Sequence, residues 1–235
     1  MALTKIGKEG VTGISNSSDA TAITISSGEL VGIGETSPTS ALHVKGGAGA
    51  NVAIQSTSGS HWRLGDGVGA SNGQFVLYDY TNSGGRILVN AGGEVNLPTQ
   101  PAFQVRPATA QSNIGVSTNV DIVFGTEVFD VGSNFASNTF TAPVSGKYFL
   151  SASIRTEAVD SASNYYLITI VTSNRGYQFI FDPDFGQDAA FWVMSLSHIA
   201  DMDASDTAKV QIVQHSGTQQ TDITTESTFS GALIC

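Results

Sequence analysis

The chain has 235 residues, with 20 acidic against 10 basic side chains, a formal charge of −10 and only 13% charged residues. That balance, without any cluster of Lys or Arg, disfavours tracking of a phosphate backbone, so no nucleic-acid partner is expected. Charged residues fall well below the roughly 25% of an ordinary globular protein, and abundant Gly, Ser, Thr and Asn leave a surface of hydroxyls and amides.

Residues 1–20 are small and polar, with Gly7, Gly10, Gly13 and the run Ser15-Asn16-Ser17-Ser18-Asp19, and show no helical periodicity. They read as an extended attachment arm. The start Met1-Ala2-Leu3-Thr4-Lys5-Ile6-Gly7-Lys8 lacks the apolar core of a secretion signal, so the Asn16-Ser17-Ser18 sequon is expected to stay unmodified. No window approaches 18 consecutive apolar residues, and no membrane insertion is expected.

Residues 21–100 read as a β-rich shaft. Ile23, Ile25, Gly28, Val31 and Ile33 recur 64 residues later as Ile87, Val89, Gly92, Val95 and Leu97. Each copy predicts a hairpin: two alternating apolar positions, a glycine turn, then two more. Isolated hairpins are marginal in water, so these need neighbours from other segments or other chains. Between them, Ala41–Val44, Asn51–Ser56, His61–Leu64 and Gln74–Tyr80 predict strands, with no helix of ten residues. Leu97-Pro98-Thr99-Gln100-Pro101 marks a boundary.

Residues 101–235 predict about ten short strands separated by turn signals, the pattern of an all-β sandwich or jelly roll. Tyr148, Leu150, Ala152 and Ile154 should face the core, with Phe149, Ser151, Ser153 and Arg155 opposite. In Tyr165–Val171 both faces are apolar, which suits a central strand or a subunit interface. Cys235 is the only cysteine and the last residue, which excludes a disulfide framework within one chain.

The chain carries no G-x-S-x-G, H-E-x-x-H, C-x-x-C or phosphate-loop motif, and no enzymatic activity or cofactor is expected. Asp182, Asp184 and Asp188 offer paired carboxylates but read as a solvated loop. Asp201, Asp203 and Asp206 have a calcium-like rhythm without the central glycine or the acidic twelfth position, which is Ile212. His43, His61, His198 and His215 stand at non-ligand spacings, and no metal site is assigned. Aromatic side chains near turns are the best recognition candidates, because flat rings anchor sugar and protein contacts. Tyr177 beside Arg175 comes first, then Trp192 and Tyr165.

The segment Gly32–Val44, read G-I-G-E-T-S-P-T-S-A-L-H-V, resembles a repeat of bacteriophage tail-fibre and spike proteins, as does the opening M-A-L-T-K-I. The C-terminal region resembles the globular head of complement component 1q, the tumour-necrosis-factor-like jelly roll. Pro101-Ala102-Phe103, Phe140-Thr141-Ala142-Pro143-Val144-Ser145-Gly146-Lys147-Tyr148-Phe149 and Phe229-Ser230-Gly231-Ala232-Leu233-Ile234 carry that resemblance. Ser133-Asn134-Phe135 and Ser205-Asp206 depart from it at two loops.

The second resemblance implies a homotrimer with Phe140, Tyr148, Phe149, Tyr166, Ile168, Ile170, Phe229 and Leu233 in its interface or core. Together the two imply a virion tail-fibre or receptor-binding protein, synthesised in the host cytoplasm. Its arm would join a phage tail or other virion protein, and its head a host-surface glycan or protein. A purely structural virion trimer and a soluble lectin-like protein of the same fold are the alternatives.

Overall fold

The structure, a computed structural model, describes residues 23–47, 49–70 and 73–235. The attachment arm and Asn16 lie outside the described residues. Two compact units meet between Pro98 and Thr99, inside the proline-flanked segment.

In the first unit β1 (Ile23–Ile25) and β2 (Val31–Ile33) form an antiparallel hairpin, and β3 (Leu42–Val44) joins β2 in parallel. Then β4 (Ala50–Gln55), β5 (His61–Asp66), β6 (Phe75–Asp79), β7 (Gly84–Val89) and β8 (Val95–Asn96) make an antiparallel meander in chain order. The 64-residue repeat is visible in the geometry. Ser26 N–H donates to the Leu30 carbonyl and Asn90 N–H to the Glu94 carbonyl, both at 2.9 Å. The left-handed turn position is filled by Glu29 (φ 63°) in one copy and Gly93 (φ 94°) in the other. The neighbours these hairpins need include β3 for the first and β6 for the second, from the same chain.

Asp79, 3% exposed, knits the meander together. Its carboxylate accepts from the Asn82 side chain at 2.6 Å and from Arg86 Nη2 at 2.9 Å. Those partners, Asn82 first, lower its pKa from 3.8 to about 2. A carboxyl whose folded pKa is depressed stabilises the fold above its unfolded pKa, and that contribution is lost as pH falls through the folded one. The thermal stability of the first unit should therefore fall as pH drops from about 4 to about 2, and Asp79→Asn should flatten that dependence. Equal pH slopes for the two proteins would contradict this.

The second unit is a two-sheet jelly roll. Its strands are β9 (Ala102–Arg106), β10 (Val120–Asp121), β11 (Thr126–Val131), β12 (Phe135–Ala136), β13 (Thr139–Thr141) and β14 (Gly146–Val159). They continue with β15 (Tyr165–Thr172), β16 (Gly176–Phe181), β17 (Ala189–Met202), β18 (Thr207–His215), β19 (Asp222–Ile223) and β20 (Thr228–Leu233). One sheet runs β11-β9-β20-β14-β17, with β19 also on β14; the other runs β12-β13-β18-β15-β16, with β10 on β18. The strands are not uniformly short: β14 and β17 each extend 14 residues and pair along nearly their whole length.

The turn Ala142–Ser145 carries the chain from one sheet to the other, since β13 and β14 lie in different sheets. Tyr148 Oη donates to the Val144 carbonyl at 2.8 Å and fixes this corner. Burial raises the pKa of its phenol. The terminal strand β20 inserts between β9 and β14. A Cβ on Gly231 would stand 2.7 Å from the Leu150 and Phe103 side chains, so any larger residue there would have to displace both core groups. Phe103 stacks on Phe140 at 4.6 Å and meets Phe229 edge-on at 5.0 Å, forming an aromatic centre between the sheets.

Candidate functional site

Alternation places every second side chain of a strand on one face. In β14 the inward set Tyr148, Leu150, Ala152 and Ile154 is at most 1% exposed, while Phe149 on the outward face is 43% exposed. Sheet pairing sets Phe149 opposite Ile199 of β17 and Ala232 of β20. Two rungs at the other end of β17 carry Val193 and Phe191, opposite Arg155 and Glu157. Ile199 is 61% exposed, Phe191 54% and Val193 53%. Between these apolar ends lies a strip of small hydroxyl side chains, with Ser195 Oγ donating to Ser153 Oγ at 3.0 Å.

Arg155 is the charged centre of this face. It reaches Glu226 at 3.0 Å and Glu157 at 3.6 Å, and its guanidinium lies 4.5 Å from the centroid of the Phe191 ring. The Thr224 hydroxyl first, with Arg155 adding, holds the Glu226 carboxyl below its ordinary range.

A second apolar surface is formed where the edge strands β16 and β17 of the two sheets run side by side. Trp192 stacks on Phe181 at 4.7 Å with an interplanar angle of 12°, and Phe185 lies 5.1 Å from the indole. Phe185 is 41% exposed on this surface, whereas Ile180 pairs with Leu167 and projects from the outer face of its sheet. Asp188 pins the neighbouring loop by accepting from Gln220 Nε2 at 2.8 Å and from Ser161 Oγ at 2.8 Å. These bonds, Gln220 foremost, lower its pKa.

The residues singled out in the sequence are distributed as follows. Phe140, Tyr148, Tyr166, Ile168, Ile170 and Phe229 are core residues, each at most 1% exposed, and cannot touch another chain. Leu233 is half-buried against that core. Phe149 alone of that set is exposed. Tyr177 points into the sandwich and stacks on His198 at 4.8 Å, so its ring is committed to that contact while Arg175 stands exposed in the turn. Trp192 belongs to the β16–β17 edge. Tyr165 lies on the opposite, outer sheet face and stacks on His215 at 4.5 Å.

Asp201, Asp203 and Asp206 are engaged within the chain. Lys147 pairs with Asp201, and the Asp206 carboxylate accepts from Asp203 N–H at 2.9 Å and Asn174 Nδ2 at 2.8 Å. Ser205 takes φ 76°, a left-handed position, at the loop that departs from the family pattern. Three histidines each pack on a tyrosine: His198 stacks on Tyr177 and His215 on Tyr165, while His61 meets Tyr80 at a tilt of 48°. Among the described residues no group of three potential metal ligands occurs, and no helix is long and apolar enough to cross a membrane.

Phe191, Val193 and Ile199 were not singled out by the sequence reading. Their signal is an odd-numbered apolar set in β17, interleaved with the buried even-numbered Met194, Leu196, Ala200 and Met202.

The C1q domain profile matches residues 102–234. Among solved structures, the globular domain of zebrafish complement 1qA is 18% identical, with a TM-score of 0.43, covering 58% of this chain and 98% of its own. Murine APRIL at pH 8.5 is 10% identical, with a TM-score of 0.43, covering 57% and 99%. No curated protein matches the chain. With its profile match spanning more than half the chain and coinciding with the two-sheet jelly roll, the chain belongs to the C1q domain family.

Proposed function

We propose that the protein is a homotrimeric attachment protein of a virion, whose C1q-type head binds a host surface while the N-terminal arm joins the virion. It acts by binding, without catalysis. The observation that carries the assembly is the outward face of the β11-β9-β20-β14-β17 sheet, with Phe149, Phe191, Val193 and Ile199 all more than 40% exposed. A patch of this kind marks an interaction surface.

The β16–β17 edge is a second and different apolar surface. Two unlike surfaces suit a heterologous contact, edge of one copy on face of the next, which closes into a ring. The first unit argues in the same direction. Among its described residues only Val68 and Val76 are buried hydrophobics, whereas Ile25, Ile54, Phe75 and Val95 are each more than 50% exposed. Such a unit gains most of its burial from other copies.

The virion context is supported by the fibre-like segment Gly32–Val44, which forms a self-contained β2–β3 wrap closed by the Lys45–Glu35 ion pair at 2.7 Å. Purified full-length protein is expected to bind bacterial cells of a susceptible strain and to block adsorption of virions that carry it. Failure of both would overturn the attachment reading. Blocking without trimers would overturn the assembly alone.

A further inference from the structure

The outer face of the β12-β13-β18-β15-β16 sheet, on the opposite side of the sandwich from Phe149, holds a cavity of about 290 Å³. Its floor is the cross-strand pair Leu167–Val213. One wall is the adjacent pair Tyr165–His215, whose rings stack at 4.5 Å and 15°. The rim opposite carries Thr118 and Asn119. We propose that this cavity is a binding site for a neutral sugar ring of a host-surface glycan; the proposal rests on the attachment reading and names the ligand class for it.

The wall chemistry selects the ligand. A pyranose presents an apolar C–H face and a ring of hydroxyls, and it is best held by an aromatic surface on one side with amide and hydroxyl partners on the other. This cavity supplies both. Thr118 and Asn119 are exposed, and among the described residues their hydroxyl and carboxamide form no hydrogen bond within the chain. No carboxylate, lysine or arginine lines the cavity, and the chain carries −10, so an anionic ligand has no counter-charge and a cationic one no ion pair. Its volume matches the lower end of small-molecule sites, roughly 300 Å³.

The cavity is also held in shape before any ligand arrives, which limits the ordering cost of binding. The rim is tied to β18 by a bridge between Val116 and Gln214 and by Ser117 N–H donating to the Gln214 carbonyl at 2.7 Å. Ser117 Oγ accepts from Ser216 N–H at 3.3 Å. Both serines are in the left-handed region, at φ 54° and 67°, a conformation that non-glycine residues hold only where the surroundings fix it.

The test uses the full-length chain on an array of neutral and acidic oligosaccharides, followed by calorimetry with the strongest neutral one. Binding should favour neutral glycans and weaken at least tenfold in Asn119→Ala and in Tyr165→Ala, while Glu94→Ala, at an exposed position of the first unit, leaves it unchanged. Asn119→Ala alters only an exposed side chain, so its loss of binding is not a folding effect. Three results would overturn the site: no neutral glycan bound, a preference for acidic glycans, or undiminished binding by Asn119→Ala. If host cells are still bound in any of these cases, the attachment reading survives and only the sugar site falls. If a neutral glycan is bound through Asn119 but host cells are not, the site stands and the attachment reading falls.

Discussion

Phe229→Ala is expected to lower the stability of the C1q-type head by about 3–5 kcal/mol, the range for truncating a buried aromatic side chain. Phe229 is 0% exposed. Its ring meets Phe103 at 5.0 Å, Phe124 at 5.9 Å and Phe135 at 6.3 Å. The cost depends on how far the surroundings can collapse into the space left behind, and here they are held apart. Phe229 pairs with Val105 on one side and Ala152 on the other, so its backbone is locked in the middle of a sheet. The three remaining rings come from β9, from the Val123–Gly125 segment and from β12, and each is fixed by its own strand or loop.

In denaturant the head transition should move to a clearly lower midpoint with an unchanged slope, the signature of lost stability without a change in exposed surface. Val123→Ala, at a position 49% exposed, should cost within about 0.5 kcal/mol and serves as the comparison. A shift for Phe229→Ala no larger than that of Val123→Ala would show that the aromatic centre is not what holds the sandwich.

Phe229 entered through the resemblance of the closing strand, whereas the inward set of β14 was legible in the sequence because a half-buried strand imposes a period of two that survives in the order of residues. Tyr148, Leu150, Ala152 and Ile154 follow it without interruption. Residues 189–194, Ala-Ala-Phe-Trp-Val-Met, are apolar on both parities, and no local pattern decides which side faces the core. Sheet order decides it: β17 has a strand partner on one side only and turns Phe191 and Val193 outward. The sugar cavity was illegible for a different reason. Thr118 and His215 are brought together by the Val116–Gln214 bridge, across nearly a hundred residues of chain, and nothing near either residue encodes that meeting. Asp79 was missed because a carboxylate ahead of a turn ordinarily reads as solvated, and only the fold puts Asn82 and Arg86 around it.

Ile199→Asp is expected to convert the proposed trimer, three times 24.4 kDa, to a chain of monomer mass while leaving the head folded. Ile199 projects outward, opposite Phe149 and away from the core, so a carboxylate there is solvated in the single chain. In the subunit contact the same carboxylate is desolvated without a designed partner, at a cost of several kcal/mol per ion, and a three-fold ring incurs it at every contact.

Phe185→Asp damages the other surface, the β16–β17 edge, where Phe185 lies 5.1 Å from the Trp192 ring and is 41% exposed, and should dissociate the ring equally. Mixing the two variants tests the contact type. The intact edge of Ile199→Asp can meet the intact face of Phe185→Asp, but that pair has no second good contact with which to close. At high concentration the mixture should reach twice the chain mass and stop, whereas each variant alone stays monomeric in light scattering. A self-complementary contact, in which each surface meets its own copy, makes no such rescue. Absence of mixed dimers alongside a wild-type trimer would exclude the edge-on-face arrangement, and a wild-type chain of monomer mass would exclude the trimer altogether.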